Sequence, residues 1–575
     1  MKIRRLVVKN FRGIKELEWF PDESTSCLIG AGDSGKTTIL TAIEYALYSG
    51  WTLRLTDADF HKQNIEEPIE ISVTLGELDE EFLAIQEFGL HLEGFDTPTG
   101  KIHSEPVEDS YESVVTIHFS VSNELEPQWF LKRENDSEPK FLQTKHRKKF
   151  RVIRLSENYD QDLGWGRTSA LTKITDMQGS SGMQFPEVTR LVAEHINNLD
   201  IGTLDEAGIA VKRVSEDFSV NLKNLSPGLN THSFSVQGSG LSLCEDGIPL
   251  LRRGSGSRRL ISLATQKIAV SNGAIVLIDE IETGLEPFRI KNLLRNFGCF
   301  EEDAVFQLIF TTHSPTPVMS LNVRQIGFVT CEDGVQSVTH VSEESVDTVQ
   351  GCVRRHGVAL FSRRILVGEG ATEVGLLRGF FEKFEGGRLE LSRRQAEATD
   401  GSGCNQAPGY SIELSKLGYR SLLLCDSDRP ITPSEEETQR QGVEVIIWED
   451  EMATEERITR DLSTTLLEKF LLLGLSLTED PTDYVPFIDS LETHRQKLVL
   501  KEDCEVIKDL DVVLWKCSVE TAQGLIGTAA KKSKWFKSVD GGLILGEFLA
   551  ENWSKIESTS TGGSIQKIIS WLEED

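Results

Sequence analysis

Cys27-Leu28-Ile29-Gly30-Ala31-Gly32-Asp33-Ser34-Gly35-Lys36-Thr37-Thr38 is the stretch that decides the fold. It fits G-x-x-x-x-G-K-[ST] directly after an apolar run and directly before a helical pattern, so it reads as strand, phosphate loop and helix in that order. The glycines let backbone N–H groups turn inward around phosphate oxygens. Lys36 supplies a point charge to the β/γ oxygens, and the Thr37 hydroxyl is placed to ligate magnesium. Gly30, Gly32, Asp33, Ser34, Gly35, Lys36, Thr37 and Thr38 are therefore the expected ATP-binding residues, with Mg2+ as the accompanying ion.

A phosphate loop only holds a nucleotide; an acidic residue elsewhere must hold the metal and polarise water. Ala274-Ile275-Val276-Leu277-Ile278-Asp279-Glu280 is a short apolar run ending in two carboxylates, which reads as a buried parallel strand delivering them at its C-terminal edge. Asp279 is expected to hold magnesium and Glu280 to orient the attacking water. A second apolar strand, Leu308 to Thr312, ends at His313-Ser314-Pro315.

This order resembles the ATP-binding-cassette (ABC) ATPases. In that superfamily the residues after the Asp-Glu pair, here Gly284 to Pro287, form the D-loop, and a histidine closing the next strand, here His313, contacts the γ-phosphate. The resemblance also implies a signature loop upstream, and Arg253-Gly254-Ser255-Gly256-Ser257-Arg258-Arg259-Leu260 stands at that place, with arginines where glutamine or glutamate is frequent. Gly254, Ser255, Gly256 and Ser257 either present backbone donors to phosphate or form an ordinary serine-capped turn. If they form the signature, each nucleotide is sandwiched between two protomers, which implies a homodimer or higher oligomer.

The chain has 575 residues, enough for two to four domains. It contains no run of 18 or more apolar residues, and Met1 to Phe11 reads as a basic amphipathic strand instead of a signal peptide. A soluble cytoplasmic protein without a membrane partner is expected. Nine cysteines, an odd number with no C-x-x-C, point to reduced thiols, so neither a disulfide frame nor a zinc site is expected. A formal charge of -30 repels polyanions at long range, so any nucleic-acid contact needs a local basic patch. Lys145 to Arg151 and Lys531 to Lys537 are the candidates, each readable also as a solvated face.

Strand-like runs at Ile69 to Leu75 and Val114 to Val121 precede helix-like segments at Ser169 to Met177 and Glu187 to Ile196. No sustained heptads occur, which argues against a long coiled-coil arm. The polar stretch Ser342 to His356 reads as the boundary between an ATPase domain at 1–345, with an insertion or dimerisation region at about 150–230, and a second domain at 360–575.

In that second domain Ile365-Leu366-Val367 runs into Gly368-Glu369-Gly370-Ala371-Thr372-Glu373, and Leu422 to Cys425 ends at Asp426-Ser427-Asp428. Three carboxylates thus meet at the C-terminal edge of a parallel sheet, where ligands bind in α/β folds. Hard oxygen ligands suit magnesium or manganese, which can activate water against a phosphodiester. The arrangement resembles the Toprim domain of topoisomerases, primases and certain nucleases. The resemblance makes Glu369, Asp426 and Asp428 the metal ligands and Glu373 a further acidic position of the nuclease branch; Gly368 stands where valine usually abuts the glutamate.

A cassette ATPase followed by a Toprim domain is the architecture of the overcoming-lysogenization-defect (OLD) family, which includes the Gabija nuclease subunit. Membership implies an α/β chain with two domains that acts as a nucleotide-regulated, metal-dependent DNA endonuclease. Such proteins usually serve in defence against phage or in DNA processing and can have a helicase or other defence-operon partner. The family lysine of the C-terminal region falls to Lys537 or nearby Lys534. Glu455 and Glu456, on a helical pattern after the strand Val443 to Trp448, either complete the metal site or are solvated. Two other readings stay open: a Toprim nuclease toxin cutting RNA, including transfer RNA, and a nucleotide-gated DNA sensor or scaffold with an inactive Toprim.

Overall fold

Continuous apolar runs become strands covered on both faces, while alternating runs become strands with one face free. Both kinds occur in one large sheet of the computed structural model. It describes residues 1–177, 194, 211, 242–477 and 518–574, apart from short stretches at 23, 51, 84–87, 89–90, 98, 105–110, 134–138, 156–158, 166–168, 270–273 and 302–303. The strands are β1 (Lys2–Phe11), β2 (Ile14–Trp19), β3 (Thr25–Ile29), β4 (Ile69–Gly76), β5 (Glu112–Val121), β6 (Val152–Leu155), β7 (Ile275–Ile278), β8 (Gln307–Thr311), β9 (Ile326–Glu332) and β10 (Val335–Thr339). Their spatial order is β6-β7-β8-β3-β9-β10-β2-β1-β4-β5, with further short strands beyond β5.

From β6 to β9 all pairings are parallel, and here Cys27 to Ile29, Ile275 to Ile278 and Leu308 to Phe310 are fully buried. From β2 through β5 the pairings are antiparallel, and β4 alternates, burying Ile69, Ile71 and Val73. The parallel half carries the phosphate loop between β3 and α1 (Lys36–Ala46). A one-turn helix, α2 (Thr144–Arg147), lies in the basic run, and α3 (Ser255–Ala269) opens at the glycine-serine loop.

The stretch expected to be a polar boundary is instead mostly helix, α4 (Val346–His356). Val346, Val349 and Val353 recur at helical spacing and, with Cys352, enter one apolar core. That core runs without a break from Ile326 and Phe328 on β9 to Ile365, Val367, Tyr410 and Leu423 beyond the helix. Polar residues on the outer face of α4 masked this stripe in the linear sequence. Ser342 adds a polar tie, its N and Oγ donating to the buried Glu413 carboxylate at 2.8 and 3.1 Å.

The second sheet is entirely parallel and comprises β11 (Arg364–Gly368), β12 (Ala396–Asp400), β13 (Arg420–Cys425) and β14 (Glu444–Ile447), in the order β12-β11-β13-β14. Four helices matter to its C-terminal edge: α5 (Ala371–Lys383), α6 (Thr454–Asp461), α7 (Val519–Ser533) and α8 (Val539–Glu551). Helices α5 and α8 touch backbone to backbone, because glycines line the contact. A Cβ on Gly379 would fall 2.0 Å from the Leu543 carbonyl oxygen, and one on Gly546 would fall 2.2 Å from that of Leu376.

Among the described residues no helix is long and apolar enough to cross a membrane. The seven described cysteines are free thiols; Cys504 and Cys517 lie outside the described residues. So do all but one residue of the helix-like segment Glu187 to Ile196 and most of the region at 150–230.

Candidate functional site

Two candidate sites lie at C-terminal strand edges, one in the parallel half of the large sheet and one in the four-stranded parallel sheet. In the first, the phosphate loop folds tightly against β9: a Cβ on Gly30 would fall 2.3 Å from the Val329 carbonyl oxygen, so only glycine fits. Lys36 is buried and donates from Nζ to the carbonyls of Gly30 and Ala31 at 3.0 and 2.8 Å. Burial lowers its pKa, and the charge of Asp279 opposes that shift. Ser34 is buried, while Gly32, Asp33 and Thr37 are exposed at the mouth and Gly35 and Thr38 are half-buried.

Thr37 on the first turn of α1 and Asp279 at the end of β7 meet: Thr37 Oγ1 donates to Asp279 Oδ1 at 3.1 Å, and Thr311 Oγ1 donates to the same oxygen at 2.6 Å. Glu280 has φ 44° and donates its N–H to Thr311 Oγ1 at 2.8 Å, while its carboxylate accepts from Thr283 Oγ1 at 3.1 Å. His313 is exposed at the end of β8, and its backbone N donates to Glu282 Oε1 at 2.6 Å. Thr312 Oγ1 donates to the other Glu282 oxygen at 2.6 Å, so Glu282 sets the path of the loop that carries His313.

The glycine-serine loop packs on the D-loop of its own chain, since a Cβ on Gly256 would fall 1.8 Å from the Gly284 carbonyl oxygen. Gly254 and Ser255 are exposed, and Ser257 Oγ accepts from Arg289 Nη1 at 3.3 Å. Arg259 has a role that sequence reasoning missed. Its buried guanidinium donates to the carbonyls of Asp279, Glu280 and Thr283 at 2.6, 2.9 and 2.8 Å, clamping the turn between the Asp-Glu pair and the D-loop. Arg154 on β6 was also missed; its Nη2 lies 3.6 Å from Asp279 Oδ2 and its Nε 3.4 Å from Glu44, and burial lowers its pKa. A charged residue inside the apolar strand Val-Ile-Arg-Leu was the available signal.

At the second edge, Glu369 follows β11 and accepts from the Asp426 N–H at 3.0 Å. Asp426 Oδ1 accepts from Thr454 N and Oγ1 at 2.9 and 2.8 Å. Glu373, on the first turn of α5, is buried; its Oε2 accepts from the Gly370 N–H at 2.8 Å and its Oε1 lies 2.7 Å from Thr454 Oγ1. Trp448 Nε1 donates to that same hydroxyl at 2.8 Å. A threonine has one hydroxyl hydrogen and cannot donate to both carboxylates. A proton on Glu373 resolves the conflict: Glu373 donates to Thr454, and Thr454 donates to Asp426. Burial, with Asp426 adding to it, indeed pushes Glu373 up to about 8.

Burial also raises Glu369, Asp426 and Glu455, the first further raised by Asp426. Asp428 pairs with Lys531 Nζ at 3.0 Å, and Glu456 pairs with the same nitrogen at 2.9 Å. Lys537 stands close enough that its charge lowers Glu369, Asp426 and Glu455, whereas Lys534 is the left-handed residue that ends α7, with φ 55°. Thr454 and Lys531 are the participants the sequence did not single out. Lys531 lay in the quoted basic run; the threonine carried no signal.

The donor set is all carboxylate oxygen, which suits a hard divalent cation. The negative charge crowded at the half-buried Glu369 and Asp426 is what such a cation would relieve. Among the described residues, though, no three acidic, histidine or cysteine side chains already stand in a metal-holding group. Asp428 is drawn onto Lys531, and Asp426 is turned onto Thr454.

Residues 1–165 match the AAA ATPase domain family, and residues 360–428 match the TOPRIM domain of overcoming lysogenization defect protein-like proteins. The order of the two matched domains is similar to that of the OLD family. Its N-terminal part thus carries an ATPase domain, and residues 360–428 a Toprim domain of the OLD-like kind. Residues 232–318 also match an AAA domain described for the AbiEii toxin of a type IV toxin–antitoxin system. The Old nuclease of Escherichia phage P2 is 22% identical over 318 residues, which are 50% of this chain and 51% of that protein. The OLD-like chain thus matches about half the length of that curated relative. An SMC head domain from Thermotoga maritima covers 60% of the chain at 14% identity with a TM-score of 0.28, all of that solved chain being matched. The ATP-bound recombination mediator RecF covers 54% of it and is matched over 92% of its own length, at 13% identity with a TM-score of 0.30.

Proposed function

We propose that this OLD-like protein is a divalent-metal-dependent endonuclease that nicks or cleaves DNA at its Toprim edge under the control of ATP bound by its ABC-type head. We assign it to anti-phage defence in the cytoplasm. The observation that carries the reading is the gathering of Glu369, Glu373, Asp426 and Asp428 with Lys531 and Lys537 at one end of the parallel sheet. Glu369, Asp426 and Asp428 would hold magnesium or manganese, which when bound supplies an activated water and charge neutralisation at the phosphodiester. Glu373 keeps a proton on the Thr454 network and so fixes Asp426. Lys537 places positive charge where the phosphate becomes more negative. Lys531 must leave Asp428 for that carboxylate to accept an ion.

In the head, Lys36 and the loop amides would take the phosphates, Thr37 and Asp279 the magnesium, and Glu280 and His313 the attacking water and γ-phosphate. Gly254 to Ser257 of a second copy would close the site, which makes the working form a homodimer or larger. The domains of this reading are 1–345 and 360–575. An inactive Toprim in a sensor or scaffold would have no reason to keep this carboxylate set.

The test is incubation of supercoiled plasmid, and separately of total transfer RNA, with the purified chain and Mg2+ or Mn2+, with and without ATP, beside Glu369→Ala. Plasmid nicking that the substitution abolishes supports the reading and gives the sign of ATP control. Cleavage of RNA alone replaces it with an RNA-directed toxin, and intact nucleic acid in every lane refutes the nuclease.

A further inference from the structure

The basic run Lys145 to Arg151 has five cations in seven residues and no acid, in a chain of net charge -30. The structure divides these cations into two groups. Arg147 is buried, lies 3.8 Å over the Trp129 ring, and donates to the Tyr48 carbonyl at 2.6 Å. Arg151 pairs with Asp79 at 2.9 Å, and Lys149 lies 5.8 Å over the Phe88 ring. Lys145 and Lys148 remain: both are exposed, and neither has a carboxylate partner among the described residues.

Those two lysines, three apart across α2, lie on one side of a turn. They line a concave groove of about 780 Å³ together with Trp129, Leu142 and Phe141. Phe141 is 54% exposed, although it is a large apolar ring on a strand. The groove floor is fixed from below: Trp129 Nε1 donates to the Tyr45 carbonyl at 3.0 Å, and Arg147 holds Tyr48 just past the end of α1, the helix that follows the phosphate loop. The groove thus combines aromatic and cationic lining residues on a hydrogen-bonded floor. Glu126 is the single acid among its lining residues.

We propose that this groove binds single-stranded nucleic acid, with an unpaired base stacked on Phe141 and its flanking phosphates on Lys145 and Lys148. The pairing of a π face with a cationic track is the physics of sequence-tolerant strand binding. A duplex, with its bases stacked inside, would present no open base face to Phe141. The site lies on the ATPase head, apart from the Toprim carboxylates, and it rests on the reading above only in supposing that nucleic acid is the target.

The test is fluorescence anisotropy of a labelled oligothymidylate with the full chain, ATP-free and with chelator, across a salt series. Phe141→Ala should weaken binding roughly tenfold, the loss of one stacked base, and Phe141→Trp should restore it, which a merely structural role would not do. Lys145→Gln with Lys148→Gln should reduce the salt slope by about 1.4, two phosphate contacts on a single strand. Thermal unfolding midpoints matching the parent show that the variants fold. Unchanged affinity and slope in the variants overturn the proposal, as does a parent protein that binds duplex but no single strand. Plasmid cleavage is scored separately, so a failed groove and a failed nuclease are distinguishable.

Discussion

Replacing Glu373 by glutamine isolates the buried proton of the Toprim edge. In the folded chain Glu373 holds its proton to about pH 8, whereas in the unfolded chain it releases it near 4.5. The folded state therefore binds more protons throughout that window, and stability must fall as pH rises through it. The contribution is fully present below pH 4.5 and is gone above about 8. At about 1.4 kcal/mol per decade of acidity, the whole window is worth about 5 kcal/mol, an upper bound because Asp426 titrates against the same hydroxyl.

Glutamine reproduces the neutral acid. Its amide N–H₂ can donate to Thr454 Oγ1 while its oxygen accepts from the Gly370 N–H, the two contacts Glu373 makes now. Urea unfolding of both proteins from pH 6 to 8.5 with chelator present is the assay. Between pH 6 and 8 the parent should lose about 2–3 kcal/mol relative to Glu373→Gln, and the variant should be the more stable at pH 8.5. Parallel stability curves for the two proteins, or a parent that gains on the variant as pH rises, would refute the shared-proton network.

Three more outcomes are expected. Arg259→Ala should lower ATP turnover on the order of a hundredfold with a smaller change in ATP affinity, because the guanidinium sets the turn bearing Glu280 without lying in the phosphate loop; equal losses in both would disprove that role, and Arg259→Lys should not rescue three divergent carbonyl contacts. Gly379→Ala forces a methyl onto the Leu543 carbonyl and should cost about 1–3 kcal/mol, seen as a lower unfolding midpoint, with cleavage lost while ATP binding persists. Lys531→Gln should tighten Mn2+ binding about fivefold by calorimetry, equivalent to a part-exposed ion pair of about 1 kcal/mol, while slowing cleavage; weaker Mn2+ binding would show that Lys531 does not compete for Asp428.

The parts of the molecule legible in the sequence are those whose chemistry is local. Cys27 to Thr38 carries strand, loop and helix in twelve consecutive residues, and the apolar runs ending at Asp279, His313, Glu369 and Asp426 announce strand ends by themselves. What stayed hidden depends on partners far along the chain. Arg258 and Arg259 look alike in sequence, yet only Arg259 finds the backbone carbonyls of the turn after β7. Thr454 gains meaning only because the start of α6 places it between two carboxylates more than twenty residues away. The helix α4 was hidden within the polar boundary stretch because three valines and a cysteine weigh little against the polar residues between them, until a core covers them.

That continuous core constrains how a signal could cross the molecule. Packed interiors shift between discrete arrangements and do not bend smoothly. With Val346, Val349 and Val353 in the same core as residues of β9 and β11, α4 is no exposed linker on which the head and the carboxylate edge could hinge. Binding energy at the phosphate loop would then be spent on re-aiming the whole Toprim sheet relative to another copy or to the nucleic acid. Separating the halves by proteolysis at 346–356 would strip this shared apolar face bare, so the fragments should clump instead of surviving as independent enzymes.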